Sequence, residues 1–168
     1  MLHHPVHVRT SRLLNLGARL GPVARAATRI HARLYRVTGG RFLPKWAEGM
    51  PVLSLTTTGR KSGKPRSTTI IYYEDGERLV VMPSNAGSDA TPAWWLNLQA
   101  NPDAEVQLGN ERRRVHARRA TPEEAERLWP VLCESYSGFE DYRAYTEREQ
   151  PVVVLEPSSK PTRRELRP

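Results

Sequence analysis

The chain has 168 residues, one cysteine, a net charge of +8 and an isoelectric point of about 10.1. This length suits one domain with an appendage, and no apolar run reaches the roughly 18 residues that a membrane-spanning helix needs. Because Cys133 has no second cysteine to pair with, an internal disulfide is excluded, and a reducing, cytoplasmic compartment is the simplest expectation.

The positive charge is concentrated in the first 45 residues, which hold eight arginines, Lys45 and no acidic residue. They carry +9, whereas the remaining 17 basic and 18 acidic residues leave −1. Across residues 10–38, apolar residues recur near helical spacing with arginines between them, which predicts a basic amphipathic helical arm over residues 1–41. Such an arm can contact an anionic membrane surface or pack on the body, and organelle targeting is a further alternative.

The body begins near Leu43 and consists of short β-branched runs separated by turn residues. Strands are predicted at residues 52–58, 66–73 and 78–82, and they form a meander. Residues 59–65 make the first turn, and Asp75-Gly76 is a strong hairpin signal for the second. A polar loop follows, and Pro92 is then expected to be the first residue of a helix, with Thr91 as its cap.

The second half of the body repeats this alternation of strands and helices. A hairpin is predicted from residues 104–108 and 111–120, followed by a helix that starts at the capping-box sequence Thr121-Pro122-Glu123-Glu124 and reaches about Tyr136. A short helix at 141–148 and a strand at 151–155 complete the body. Residues 158–168 are expected to form a disordered tail. Strands joined by hairpins indicate an antiparallel sheet, and about six short strands favour a small barrel.

The segment richest in chemistry is residues 57–66, Thr-Thr-Gly-Arg-Lys-Ser-Gly-Lys-Pro-Arg, between the first two strands. It places four cations within seven residues, and its glycines allow backbone N–H groups to approach an anion. The planar donor fork of arginine suits phosphate and carboxylate. A solvated basic turn is the simpler alternative, and the spacing is not that of a P-loop. No catalytic triad or metal-ligand spacing accompanies the segment, a pattern compatible with a cofactor enzyme, and no metal is expected.

The run from Leu55 to Arg66 resembles the signature of the deazaflavin-dependent nitroreductase family. The resemblance covers about residues 42–157. Further matches follow in the same order as in the family, and they include Tyr72-Tyr73, Ser84 with Gly87, residues 92–98, Asn101-Pro102, Trp129-Pro130 and residues 151–157. The resemblance implies an α+β fold: an antiparallel split β-barrel of the FMN-binding type with flanking helices, over residues 42–157. It also implies coenzyme F420, an 8-hydroxy-5-deazaflavin with a phosphate and an oligoglutamate tail, and hydride transfer from its C5 to a quinone or nitro-aromatic acceptor.

The resemblance also implies site residues, matched position by position. One group would hold the phosphate and the acidic tail: Arg60, Lys61, Lys64 and Arg66. A second group would approach or support the deazaflavin ring: Ser84, Asn85, Pro92, Ala93 and Trp94. A third group would contact the acceptor or supply its proton: Ser84, Tyr136 and Tyr142.

Three positions depart from the family pattern and affect the acceptor more than the coenzyme. Asn85 stands where some relatives have lysine, Ala93 where some have methionine, and Phe139 where the best-known type has tyrosine. The main alternative is a split barrel that binds FMN or a haem-type ligand without this catalysis. A homodimer and contact of residues 10–38 with the inner face of the cell membrane are further hypotheses. No nucleic-acid partner is expected, because the chain has no recognised motif for one.

Neighbouring aromatic residues allow a further prediction. Trp94 and Trp95 point about 100° apart on a helix, and Trp94 is expected to face the ligand while Trp95 belongs to the core. Tyr72 and Tyr73 should point to opposite faces of their strand. His116, in the arginine-rich strand, is expected to be a surface residue.

Overall fold

The computed structural model describes Ile30 and residues 51–136, 138–144 and 146–158. Ile30 is helical and exposed. The rest of the arm over residues 1–41 and the tail beyond Ser158 lie outside the described residues, so the predictions made for them stay predictions.

Within the described residues the chain forms seven strands and three α-helices. In chain order these are β1 (Val52–Thr58), β2 (Pro65–Ile71), β3 (Tyr73–Asp75), β4 (Arg78–Val81), α1 (Ala93–Ala100), β5 (Asp103–Leu108), β6 (Glu111–Arg119), α2 (Pro122–Ser135), α3 (Gly138–Ala144) and β7 (Val153–Pro157). A short 3-10 turn, Asn85–Gly87, precedes α1.

The strands form one antiparallel sheet in the order β2-β1-β5-β6-β7-β4-β3. Its two outermost strands, β2 and β3, are separated in the chain only by Tyr72, so a single stretch of backbone supplies both edges. This continuity curls the sheet into a barrel and confirms the predicted split-barrel fold. The predicted strand 66–73 is instead two strands, because the ladder is interrupted at Tyr72, whose N–H bonds to the carbonyl of Pro51 at 3.4 Å.

Alternation along the strands creates two cores on opposite faces of the sheet. The inner core contains Leu53, Leu55 and Val106, together with Trp95 and Leu98 from α1. The outer core lies under α2 and α3 and is formed by these buried residues among others: Val80, Val154, Leu128, Leu132 and Phe139. Each fully buried leucine or valine side chain contributes about 1.5 to 3 kcal/mol relative to an exposed one. Tyr72 packs on the inner core and Tyr73 on the outer core, which confirms the predicted alternation.

Helix α2 begins as the sequence predicts. Thr121 Oγ1 accepts a hydrogen bond from the N–H of Glu124 at 3.3 Å, and the Glu124 carboxylate accepts one from the N–H of Thr121 at 3.0 Å. This capping box satisfies two N–H groups at the helix start. Helix α1 begins one residue later than predicted: Pro92, with an extended ψ of 138°, is the N-cap, and the carbonyl of Pro92 accepts from Trp95 and Leu96.

The last helix and the last strand of the body have other bounds than the sequence predicts. The short helix covers Gly138–Ala144 and not residues 141–148, and the last strand is Val153–Pro157. A physical reason for the earlier helix end is that the side chains of Thr146 and Arg148 form hydrogen bonds with residues 84–89, which hold this segment against that loop.

Candidate functional site

Residues 59–66, here called the cationic turn, join β1 to β2 through a closed network of backbone hydrogen bonds. The N–H of Gly59 bonds to the carbonyl of Lys64 at 2.9 Å, and the N–H groups of Ser62 and Gly63 bond to the carbonyl of Gly59 at 3.1 and 2.7 Å. A Cβ on Gly59 would lie 2.8 Å from Ser62 Oγ and 3.1 Å from the carbonyl oxygen of Lys64. Glycine therefore fits position 59 without a shift of Ser62 or Lys64, which any larger residue would require.

The cationic turn presents the four charges that the sequence analysis assigns to ligand binding. All four side chains are exposed, and none makes a hydrogen bond or ion pair with another described residue: Arg60, Lys61, Lys64 and Arg66. Like charges held this close repel one another and create a positive potential that attracts an anion. The turn therefore concentrates four positive charges, unpaired within the described part of the chain, at one exposed position of the fold.

Asn97, on the second turn of α1, connects this helix to the cationic turn. Its Oδ1 accepts a hydrogen bond from the backbone N–H of Arg60 at 3.1 Å, and its Nδ2 donates to Thr57 Oγ1 at 3.0 Å. Both Asn97 and Thr57 are buried. Asn97 is absent from the predicted site residues, because a helical asparagine gives no local signal that its partners lie 37 and 40 residues away in the chain.

The start of α1 carries the predicted ring-supporting residues next to this connection. Pro92 is buried, Ala93 is exposed and Trp94 is half-buried against the inner core, while Trp95 is buried within that core. The two indole rings meet edge to face, with centroids 6.3 Å apart. Trp95 thus has the core position expected of it, and Trp94 remains the more accessible of the pair.

Residues 84–90 form a compact loop before α1. Asn85 has a left-handed φ of 48°, which asparagine tolerates better than most residues, and its Nδ2 donates to the carbonyl of Ala90 at 2.8 Å. The carbonyl of Ser84 accepts from the N–H of Gly87 at 3.0 Å. Ser84 is half-buried, and its hydroxyl makes no hydrogen bond within the part of the chain that the structure describes.

Arg148 holds this loop from the other side, and it too is absent from the predicted site residues. Its Nη2 donates to the carbonyl of Ser84 at 3.0 Å, and its Nε and Nη2 donate to the carbonyl of Ser88 at 3.3 Å. Thr146 Oγ1 donates to Asp89 at 2.7 Å. Burial lowers the pKa of Arg148, but the guanidinium stays charged at neutral pH. The sequence interpretation failed here because it placed Arg148 at the end of a helix.

Tyr136 and Tyr142 lie together in the outer core. Each is 7% exposed, their hydroxyl oxygens are 2.7 Å apart, and the Phe139 ring packs edge to face on Tyr136 with centroids 5.1 Å apart. Helix α3, which carries Tyr142, packs against the 3-10 turn beside Ser84. The structure thus brings the two buried tyrosines to each other, on a helix pair that packs near the Ser84 loop.

Two other titratable residues, His116 and Cys133, lie in surroundings that do not favour catalysis. His116 Nδ1 lies 2.8 Å from Asp103 Oδ1 and both side chains are partly exposed, as expected for a surface pair. Burial raises the pKa of the Cys133 thiol, which disfavours the reactive thiolate. Among residues 51–136, 138–144 and 146–158, no group of three acidic, cysteine or histidine side chains could hold a metal ion. In the same ranges no helix has both the length and the apolar character needed to cross a membrane.

Fold and site together define a class: split-barrel proteins with an exposed basic turn beside the start of a helix. Residues 27–157 match the model of the F420H(2)-dependent quinone reductase family, and the chain belongs to this family. This result confirms the deazaflavin-dependent family predicted from the motif.

Individual relatives agree with this assignment. An F420H(2)-dependent quinone reductase of Mycobacterium tuberculosis is 37% identical over 130 residues, which cover 76% of this chain and 87% of the relative. The solved F420-H2 dependent reductase FDR-A is 34% identical with a TM-score of 0.58, over 63% of this chain and 94% of that chain. A solved structure described as a domain-swapped dimer is 30% identical with a TM-score of 0.61, over 80% of this chain and 96% of the other.

Proposed function

We propose that the protein is an oxidoreductase that uses reduced coenzyme F420 to reduce a quinone by hydride transfer. Family membership supports this reaction, and one observation carries it to this chain. The cationic turn holds four exposed cations that have no partner among the described residues. A coenzyme with a phosphate and an oligoglutamate tail supplies the anions that such a turn lacks.

Each group of residues has a separate task in this proposal. Four cations bind the phosphate and the tail: Arg60, Lys61, Lys64 and Arg66. Gly59, where a side chain would crowd Ser62 and the carbonyl of Lys64, would let this backbone stay close to the bound anion. When bound, the reduced coenzyme supplies the hydride from its C5, and the protein contributes position and electrostatics.

The ring would lie between the 84–90 loop and the start of α1. Ala93 is small and exposed, so it leaves room over the first turn of the helix, and Trp94 offers a rigid apolar surface beside it. Pro92 fixes the entry of the chain into α1, and the helix N-terminus favours an electron-rich group. Asn85 shapes the opposite wall through its bond to Ala90.

Ser84 is the proton donor that the geometry favours among the three candidates. Its hydroxyl makes no described hydrogen bond, and the residue is only half-buried. The hydroxyls of Tyr136 and Tyr142 bond to each other inside the outer core, so either would need to break that bond to reach an acceptor. A flat apolar quinone fits beside Trp94, and nitro-aromatic acceptors share that shape.

Turnover of the purified full chain tests this proposal. Oxidation of reduced F420 should be followed with a menaquinone analogue and, separately, with a nitro-aromatic compound. We expect turnover with the quinone and a lower rate without any acceptor. Absence of turnover with every quinone and nitro-aromatic compound tried would contradict the proposal.

The alternative function is a split barrel that binds FMN or a haem-type ligand without this catalysis. Titration of the same preparation with F420 and with FMN separates the two, because FMN carries one phosphate and no glutamyl tail. We expect tighter F420 binding. Tighter FMN binding would favour the alternative.

Two finer parts of the proposal concern assembly and location. The domain-swapped dimer among the solved relatives supports a homodimer, which sedimentation of the full chain tests. The +9 charge of the first 45 residues supports cytoplasmic protein in contact with the inner face of the membrane, where apolar quinones reside. Co-sedimentation with anionic vesicles should be lost in a variant lacking residues 1–40, and equal partitioning would contradict this contact.

A further inference from the structure

We infer that Asn97 and Thr57 form a buried positioning pair that fixes the cationic turn against α1 and thereby aligns the tail-binding and ring-binding parts of the coenzyme site. The inference rests on the proposed function, because it concerns how that site is assembled. Neither residue is accessible enough to contact the coenzyme itself, since Asn97 is 5% and Thr57 2% exposed. They would act through Arg60 and α1.

The pair belongs to a chain of hydrogen bonds that links three elements. Asn97 Nδ2 donates to Thr57 Oγ1 at 3.0 Å, from α1 to the end of β1. Thr57 Oγ1 donates to the carbonyl of Arg66 at 3.4 Å, from β1 to β2. Asn97 Oδ1 accepts from the N–H of Arg60 at 3.1 Å, which brings the helix directly to the cationic turn. Two of the four predicted tail-binding residues thus have their backbone held by this pair.

The position of Asn97 in α1 connects this hydrogen-bond chain to the residues predicted to support the deazaflavin ring. Ala93 and Trp94 precede Asn97 by four and three residues, and residues at these spacings share one face of a helix. The face that carries the predicted ring contacts is therefore the face that Asn97 connects to the turn. The backbone N–H of Arg60 has a fixed partner in α1, so the start of α1 and the cations keep one relative placement.

Burial makes this placement specific. A buried amide or hydroxyl without a partner is costly, so the amide group of Asn97 must keep both bonds at once. Only one orientation of the helix relative to the turn allows this. A pair of apolar side chains of the same size could fill the volume, but would not direct the N–H of Arg60.

Thr57→Val tests the inference because it removes the hydroxyl and keeps the β-branched shape. Thr56→Val is the matched control: Thr56 lies on the same strand, and its hydroxyl bonds to Ser67 at 2.9 Å. For each variant, dissociation constants would be measured for F420 and for the deazaflavin fragment that lacks the phosphate and glutamyl tail. Circular dichroism would establish that the fold is retained.

The expected result is a selective loss. In Thr57→Val, the affinity for whole F420 should fall about tenfold, the size expected for one buried hydrogen bond, while affinity for the fragment stays within about twofold. Thr56→Val and the conservative Thr57→Ser should both bind F420 like the natural protein. Should Thr57→Val not fold, Asn97→Ser removes both contacts without adding an apolar group, and the same selective loss is expected.

Two results would overturn the positioning role while leaving the proposed function intact. One is unchanged F420 affinity in folded Thr57→Val or Asn97→Ser. The other is an equal loss for F420 and for the fragment, which would indicate a general structural defect. A failure of the natural protein to bind F420 at all would instead overturn the proposed function together with this inference.

Discussion

Two arginine-containing surfaces of this molecule are built in opposite ways. In the cationic turn, the side chains of Arg60 and Arg66 have no hydrogen-bond or ion-pair partner among the described residues. The backbone of the turn is held by the bonds of Gly59 and by the Arg60 N–H to Asn97. Around Glu124, by contrast, arginines from β4, β6 and α2 form ion pairs with carboxylates. We call this cluster the Glu124 network, and its members are Arg78, Arg118, Arg127, Asp75, Glu124 and Glu156.

From this difference we expect the paired charges to stabilise the fold and the unpaired charges of the cationic turn to bind a ligand. Arg118 makes two bonds to Glu124, at 2.5 and 2.8 Å, and one to Glu156 at 2.9 Å. Its side chain is 31% exposed and that of Glu124 is 20% exposed, so water screens these contacts incompletely. The cationic turn has equally strong donors, and no carboxylate of the described residues pairs with them. Changes in the turn should therefore affect binding, and changes in the network should affect stability.

The largest effect is expected from Arg60→Ala with Lys61→Ala. Hydrogen bonds to charged groups contribute about 1.5 to 3 kcal/mol each, so loss of two cations should weaken F420 binding by at least about 100-fold. The free energy of unfolding should change little, because neither side chain makes a hydrogen bond or ion pair with another described residue. Fluorescence titration and urea denaturation measure the two quantities.

The control for this double variant removes the same charge from another exposed site. Arg112→Ala with Arg113→Ala alters two exposed arginines on β6 that pair with Glu105 and Glu111. F420 affinity should be close to that of the natural protein. If both double variants lose affinity equally, net charge and not the cationic turn governs binding.

The second prediction concerns the loop that carries Ser84. Arg148→Met removes the donors to the carbonyls of Ser84 and Ser88, so the loop should lose its placement and turnover should fall about tenfold, since small misplacements slow reactions strongly. Arg148→Lys should not restore the rate, because one ammonium group cannot reproduce the planar fork. Steady-state kinetics with a quinone measures both.

A neighbouring arginine provides the control for Arg148. Arg143 lies 3.6 Å above the Trp129 ring and is exposed, so Arg143→Met should leave turnover nearly unchanged. If Arg148→Met also leaves the rate unchanged, the loop does not depend on Arg148 for its placement.

Within the Glu124 network, the contribution of the Glu124 charge to stability can be measured separately from its contribution to helix capping. Glutamine can still complete a capping box, whereas alanine cannot. At neutral pH, Glu124→Gln should lower the free energy of unfolding by about 1 kcal/mol, and Glu124→Ala by about 2 kcal/mol. Urea denaturation measures both, and neither variant should change F420 affinity. Equal losses in the two variants would show that the charge of Glu124 adds nothing beyond the cap.

The same residue makes a prediction about pH. Hydrogen bonds from Arg118, and then from the backbone of Thr121, lower the pKa of Glu124 from 4.5 to about 2. A carboxyl with a lowered pKa in the folded state stabilises the protein above its ordinary pKa, and this stabilisation is lost as the pH falls toward the lower value. The stability difference between the natural protein and Glu124→Gln should therefore shrink between about pH 5 and pH 2. A constant difference over that range would contradict the lowered pKa.

Local signals in the sequence predict much of this fold, and non-local contacts explain what they miss. β1 and the start of α2 follow from β-branched residues and a capping box, both of which act within a few residues. The division of the second strand at Tyr72 depends on which strands reach each edge of the barrel. The cationic residues are predicted as ligand contacts from their types together with the family resemblance, whereas Asn97 and Arg148 find their partners 37 to 64 residues away and leave no local pattern.

The smallest effect on stability is expected from replacing Arg119, an arginine that is paired but exposed. This substitution tests whether an ion pair stabilises the fold without burial. Arg119 makes two bonds to Glu149, at 2.8 and 3.0 Å, yet the two side chains are 51% and 68% exposed. Solvent screening and side-chain entropy offset such a pair, so Arg119→Ala should change the free energy of unfolding by no more than about 0.5 kcal/mol. Arg118→Ala, at the adjacent position, should cost about 2 kcal/mol because it leaves Glu124 without its closest partner in a less exposed site. Equal costs for the two substitutions in urea denaturation would mean that burial does not distinguish these ion pairs.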